Sequence, residues 1–195
     1  MPPLAKQCKI FVLHGLGGIG KTQIAVNFAR KHQDDYSAVF WLDGSSKDSI
    51  KQAFLDIAQR LPQSQFTSDA LLTQRSAQQP DLDVVVAEVL RWLSEDANRQ
   101  WLLIIDNVDR DFKDKNKDPE AYDIRPCLPA ADHGSVLITS RLRHLKNVLG
   151  TAAGLKVDIL GDVEALAVLK AKAVRSIPGE SGAQVVHTII FLHTY

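Results

Sequence analysis

The stretch Gly15-Leu16-Gly17-Gly18-Ile19-Gly20-Lys21-Thr22 constrains this chain more than any other feature. It fits Gly-x4-Gly-Lys-[Ser/Thr]. Before it stands a β-rich run, Lys9–His14; after it, Ile24, Ala25, Phe28 and Ala29 recur at helical spacing over Lys21–His32. Gly15, Gly17, Gly18 and Gly20 permit positive φ and place no Cβ in the way, so successive N–H groups can turn inward toward one anion. The start of the following helix adds the positive end of its dipole. A strand, a phosphate-cradling loop and a helix in this order belong to a parallel sheet.

The rest of the chain supplies that sheet. Ala38–Asp43 reads as a second strand, and Ser45 and Ser46 offer N-caps for a helix over about Asp48–Leu61, with Ile50, Phe54, Ile57, Ala58 and Leu61 on one face. Pro62–Pro80 is polar and rich in Gln and Ser, a surface excursion. Leu82–Asp96 is a helix with Leu82, Val85, Val86, Val89, Leu90 and Leu93 on one side. Trp101–Ile105 is a third strand ending in Asp106, Ser135–Thr139 a fourth and Leu155–Leu160 a fifth, with a helix over about Val163–Val174. Asp109–Asp123 is densely charged and contains Pro119, so it reads as a loop with a solvated face. The expected fold is a three-layer α/β/α P-loop domain over residues 1–160, with a central five-stranded parallel sheet.

Composition excludes several other classes. Lys plus Arg and Asp plus Glu balance at 23 each, so no overall field draws nucleic acid or an anionic membrane, and neither is expected as a partner. Two cysteines, Cys8 and Cys127, cannot staple a fold and suit a reducing compartment. Apolar runs such as Trp101–Ile105 and Thr188–Leu192 are far too short to span a bilayer, and Ile10–Leu13 is too short for a signal peptide. A cytoplasmic location is expected.

The loop motif assigns chemistry residue by residue. Gly15, Gly17, Gly18, Ile19, Gly20, Lys21, Thr22 and Gln23 are the candidate phosphate-binding residues, with Lys21 reaching toward the terminal phosphates. Thr22 and Asp106 are the candidate Mg²⁺ residues, Asp106 through a water, because open α/β sheets bind ligands at the C-terminal ends of their strands. ATP or ADP with Mg²⁺ is the expected ligand. GTP is not: Asn116-Lys117 begins a guanine motif, but Pro119 stands where its Asp should be, and Asp158–Gly161 comes in the wrong order. His14 abuts the loop. His32, His133, His187 and His193 show no metal-ligand spacing with Cys8 or Cys127, so no zinc site is expected.

Taken together, these segments resemble the NB-ARC class of STAND nucleotide switches, which includes plant disease-resistance proteins, the apoptotic protease-activating factor and fungal receptors with tetratricopeptide repeats. The resemblance spans about residues 9–170. It is carried by Leu13–Ala25, Val39-Phe40-Trp41-Leu42-Asp43, Trp101-Leu102-Leu103-Ile104-Ile105-Asp106-Asn107-Val108-Asp109 and Gly134–Arg141, and its flavour is fungal. It implies an adenine nucleotide, and it makes Arg141 a sensor near the γ-phosphate; otherwise Arg141 is a surface charge beside Arg143, His144 and Lys146. Two departures stand out. Only eight residues precede the first strand, which leaves no room for the family's upstream Gly-Arg-x-x-Glu motif, and no Gly-Leu-Pro motif or winged-helix histidine follows. The chain therefore reads as the nucleotide-binding core alone, truncated or shortened, with residues 161–195 as the start of a helical ARC region and an apolar tail, Ala183–Tyr195.

Three readings follow. The first is the ATP/ADP-binding core of a signalling switch, with self-association or signalling partners through flanking domains. The second is a stand-alone P-loop ATPase or small-molecule kinase, and the third a non-switching interaction fragment. Asn107 follows Asp106 where many ATPases carry a Glu, so hydrolysis is expected to be slow or negligible; Asp109 is the only candidate base.

Overall fold

A computed structural model describes residues 8–67, 81–112, 118–159 and 161. Most of the Pro62–Pro80 excursion, residues 113–117 of the charged loop, the helix expected over Val163–Val174 and the Ala183–Tyr195 tail lie outside them.

The expected alternation is present: β1 (Lys9–His14), α1 (Lys21–Lys31), β2 (Ala38–Asp43), α2 (Lys47–Ala58), α3 (Leu82–Ser94), β3 (Trp101–Asp106), β4 (Ser135–Ser140), α4 (Leu145–Val148) and β5 (Gly154–Lys156). The five strands form one sheet in the order β2-β3-β4-β1-β5, and every pairing is parallel. The three-layer α/β/α fold with a five-stranded parallel sheet is thus the one the sequence predicts.

Strict alternation along the strands explains how both faces are covered. Ala38, Phe40 and Leu42 of β2 and Trp101, Leu103 and Ile105 of β3 join α2 and α3 in one core. Val39 and Trp41, Leu102 and Ile104 point the other way and pack with Ala25, Val26 and Ala29 of α1. Strands buried on both faces read as continuous apolar runs, which is why these segments were legible without alternation. At β4, Trp101 fills the space beside Gly134, whose φ is +74°.

The boundaries follow local chemistry. Ser46, not Ser45, caps α2: its Oγ accepts from the Ser49 N–H at 3.0 Å. Helix α2 stops at Ala58, short of the expected Leu61, although Leu61 is still buried. Asp81 caps α3 by accepting from Asp83 N–H at 2.9 Å. β5 runs Gly154–Lys156, so it starts one residue before the predicted Leu155–Leu160 and shares only Leu155 and Lys156 with it among the described residues; it is an edge strand that pairs with β1 alone. Between β3 and β4, Arg125–Cys127 forms one turn of 3-10 helix.

The charged loop corrects one expectation. Its described residues are not simply a solvated face: Ala121 and Tyr122 are buried, and the Tyr122 hydroxyl donates to Gly44 O at 2.7 Å. Arg110 donates to Ser45 O at 2.9 Å and to both oxygens of Asp118 at 2.8 and 2.9 Å. The acidic and basic residues there pair with one another and hold the loop against the end of β2. Among the described residues, no helix is long and apolar enough to cross a membrane.

Candidate functional site

The parallel register sets Asp43, at the end of β2, directly beside Asp106, at the end of β3. His14 and Ser140 end β1 and β4 in the same way. Beyond these ends lies a cleft of about 600 Å³ lined by Gly17, Gly18, Lys21, Thr22, Trp41, Asp43, Asp106, Asn107, Asp109, Thr139 and Arg141. It lies at the C-terminal strand edge, beside the point where the chain reverses direction across the sheet, which is where open α/β folds bind ligands.

The loop after β1 keeps its shape through backbone conformation. Gly18 and Gly20 have φ of +74° and +98°, and a Cβ at either would meet only open space, so the requirement there is conformational. Gly15 is different: a Cβ would stand 2.5 Å from Val157 O, so the backbone of the segment after β5 packs directly on the loop. Gly20 caps α1 with no side-chain hydrogen bond, so no capping side chain takes up the helix's first N–H groups.

Lys21 is buried, and its Nζ turns back over the loop to donate to Gly15 O at 2.9 Å and Leu16 O at 2.8 Å. Among the described residues no carboxylate pairs with it. Thr22 Oγ1 donates to both oxygens of Asp106, at 3.0 and 3.1 Å. Thr139 Oγ1 donates to the same carboxylate at 2.5 Å and accepts from Asn107 N–H at 2.9 Å. Thus β4, which lies between β3 and β1, bridges the two halves of the site. Asn107 has φ of +68°, a left-handed conformation that Asn tolerates better than most residues.

Arg141 and Asp109 also meet. Asp109 accepts from the Arg141 backbone N–H at 2.6 Å and from Nε at 2.5 Å. The Arg141 side chain is 61% exposed and that of Asp109 only 12%. Arg141 lies over Gly17, where a Cβ would sit 3.7 Å from Cδ and 3.9 Å from Nη1.

Of the residues singled out from sequence, Gly17, Gly18, Lys21, Thr22, Asp106, Asp109 and Arg141 line one cleft. Ile19 is half-buried and Gln23 is exposed on the first turn of α1, and neither side chain lines the cleft, so either could contribute only its backbone. The sequence reading missed Trp41, Asp43 and Thr139. Asp43 had a visible signal, since it ends an apolar strand just as Asp106 does; its carboxylate takes Ser45 N–H at 3.0 Å and Ser45 Oγ at 2.9 Å. Thr139 had none, because its role depends on β4 lying between β3 and β1.

A parallel sheet in this order, with a glycine loop and a strand-end Asp at one edge, is a P-loop nucleotide-binding fold. The NB-ARC domain model matches residues 4–177, and the chain belongs to that family; it is a nucleotide-binding module of the STAND type. The chain is 26% identical over 144 residues to a nucleotide-binding leucine-rich repeat (NLR)-like protein of Hyaloscypha variabilis. That match covers 70% of this chain and only 13% of the relative. Cdc6p of Pyrobaculum aerophilum has a similar fold, with a TM-score of 0.55 at 12% identity over 85% of this chain and 43% of that one.

Proposed function

We propose that this chain is the ATP/ADP-binding core of a STAND-type signalling switch that turns over slowly or not at all. One observation carries the reading: Lys21, the Thr22–Asp106 pair and Arg141 converge on a single cleft from α1, β3 and β4. The residues fit a magnesium nucleotide. Lys21 Nζ rests on two neutral loop carbonyls, contacts that a phosphate would exchange for charge-assisted ones. Thr22 and Asp106 present the hard oxygens that Mg²⁺ prefers. Mg²⁺, if bound, would be held by Thr22 and Asp106 and would supply positive charge against the phosphates.

The chain's own residues then divide the work. The loop amides and the start of α1 hold phosphate, Lys21 balances its charge, and Thr139 fixes the Asp106 carboxylate in place. Arg141 stands over Gly17 and responds to a third phosphate. Asn107 carries no proton-accepting carboxylate beside Asp106, so turnover is expected at roughly 10⁻⁴ to 10⁻² s⁻¹. The adenine preference, an innate-immune signalling role, a cytoplasmic location and partners engaged through flanking domains rest on family membership and on the NLR-like relative. Residues 161–195 belong in this reading to the start of the helical ARC region and its tail.

A thermal-shift series with ADP, ATP and GTP, each with Mg²⁺, tests the proposal. At a hundredfold excess over Kd, linkage adds about 2.7 kcal/mol, or roughly 5–10 °C for a domain of this size. ADP and ATP should produce that shift, GTP should not, and Lys21→Ala should remove most of it. An unchanged wild-type melting curve at millimolar nucleotide, with a cooperative transition present, would overturn the reading.

A further inference from the structure

We propose that Asp109 is the positioning residue for Arg141, and that it thereby sets how strongly the site prefers a nucleoside triphosphate to a diphosphate. The inference rests on the nucleotide-binding reading above. Asp109 follows Asp106 closely in sequence, and both its carboxylate oxygens are engaged by Arg141. One accepts from the Arg141 backbone N–H at 2.6 Å and the other from Arg141 Nε at 2.5 Å. Its side chain is only 12% exposed, while that of the arginine it holds is 61% exposed.

The orientation matters more than the pairing. Asp109 grips the Nε edge of the guanidinium and the peptide of the same residue, which pins the side chain at both its root and its neck. Nη1 and Nη2 have no acidic partner among the described residues, and Nη1 reaches over the loop at Gly17. That free edge is the one a guanidinium uses to meet phosphate oxygens bidentately. Without Asp109, an exposed Arg side chain would spread over many rotamers, and each phosphate contact would first have to order it. Lys21, in contrast, is buried on the loop and owes nothing to Asp109. The consequence is selective: losing Asp109 should weaken the contact made only by a third phosphate and leave the rest of the site intact.

The test is calorimetric titration of the full chain with Mg-ATP and Mg-ADP, for the wild type, Asp109→Ala, Asp109→Asn, Arg141→Ala and the double variant. Asp109→Ala should weaken ATP roughly tenfold with ADP unchanged. Asp109→Asn, which keeps one acceptor, should fall between. In the Arg141→Ala background, Asp109→Ala should have no further effect, because the residue it positions is gone. A second readout needs no nucleotide: the Arg141 Nε–H resonance should be protected from exchange in the wild type and lost in Asp109→Ala.

Tighter ATP binding by Asp109→Asn would make Asp109 a competitor for Arg141 and overturn the proposal. So would equal weakening of ATP and ADP by Asp109→Ala, or an unprotected Nε–H in the wild type. A folded wild type that binds neither nucleotide would remove the nucleotide reading and this proposal with it; a protected Nε–H would then show that the ion pair itself had not failed.

Discussion

Thr22 on the first turn of α1 donates its hydroxyl to both carboxylate oxygens of Asp106 at the end of β3, across 84 residues of sequence. β3 and β1 are not neighbours in the sheet, and Thr139 on the intervening β4 completes the link with a third hydrogen bond to the same carboxylate. The first prediction is that Asp106→Asn uncouples nucleotide affinity from Mg²⁺. The variant should lose about 10- to 100-fold in the Mg²⁺-dependent part of binding, while affinity measured in chelator stays within about twofold. Titration with and without Mg²⁺ reads both numbers.

Asn107 owes its place to backbone conformation as well as to chemistry. Its φ of +68° costs a residue with an unsuited Cβ about 1–2 kcal/mol, and Gly nothing. Asn107→Gly should therefore leave stability nearly unchanged, and Asn107→Val should lower it by at least about 1 kcal/mol. Both variants keep the N–H that donates to Thr139. Urea unfolding distinguishes them.

Gly134 is a packing requirement at the start of β4. A Cβ there would stand 2.3 Å from Cε2 and Cζ2 of Trp101, with φ at +74°, and the buried ring cannot retreat. Its carbonyl also accepts from Lys9 N–H at 3.3 Å, which helps set the β1–β4 register. Gly134→Ala should cost more than about 2 kcal/mol through strain and overpacking together. A fall in melting temperature with a changed near-ultraviolet signal from Trp101 checks it.

His14 makes stability fall on mild acidification. The ring is buried, and its Nδ1 has no hydrogen-bond partner among the described residues. Burial first, then the charges of Lys146, Arg143 and Lys156, holds its pKa below the ordinary 6.5, with Asp158 opposing. At neutral pH both the folded and unfolded forms are neutral there, and nothing is lost. As pH falls through the ordinary value the unfolded chain takes up a proton first, so stability drops, and the loss levels off only below the folded pKa. His14→Leu should flatten this part of the curve between about pH 7 and pH 5. Wild type and variant falling in parallel in urea titrations across that range would count against it.

Much of the architecture was legible because its signals are local. The continuous apolar runs of β2 and β3 reflect burial on both faces, and Ser46 and Asp81 cap helices by contacts within three residues. The phosphate loop was plainest, since the conformations at Gly18 and Gly20 are ones that few other residues adopt. Edges were read less well. β5 sits at the sheet edge with β1 as its one partner, so its bounds are set by that pairing and not by its apolar pattern, and the charged loop near Tyr122 hides its buried residues among acids and lysines.

The sequence by itself determined the sheet's composition, the loop that can hold phosphate and the identities of Lys21, Thr22, Asp106 and Arg141. Only the tertiary structure decided which of them touch. Strand order put β4 between β3 and β1, and so made Thr139 the anchor of Asp106. It also brought Asp109 against Arg141, 32 residues away, where its carboxylate accepts from both the backbone N–H and Nε. The physical reason is that propensity and motif spacing report on neighbours along the chain. Hydrogen bonds between strand ends depend on which strands lie side by side, and that is settled only when the whole sheet closes its core.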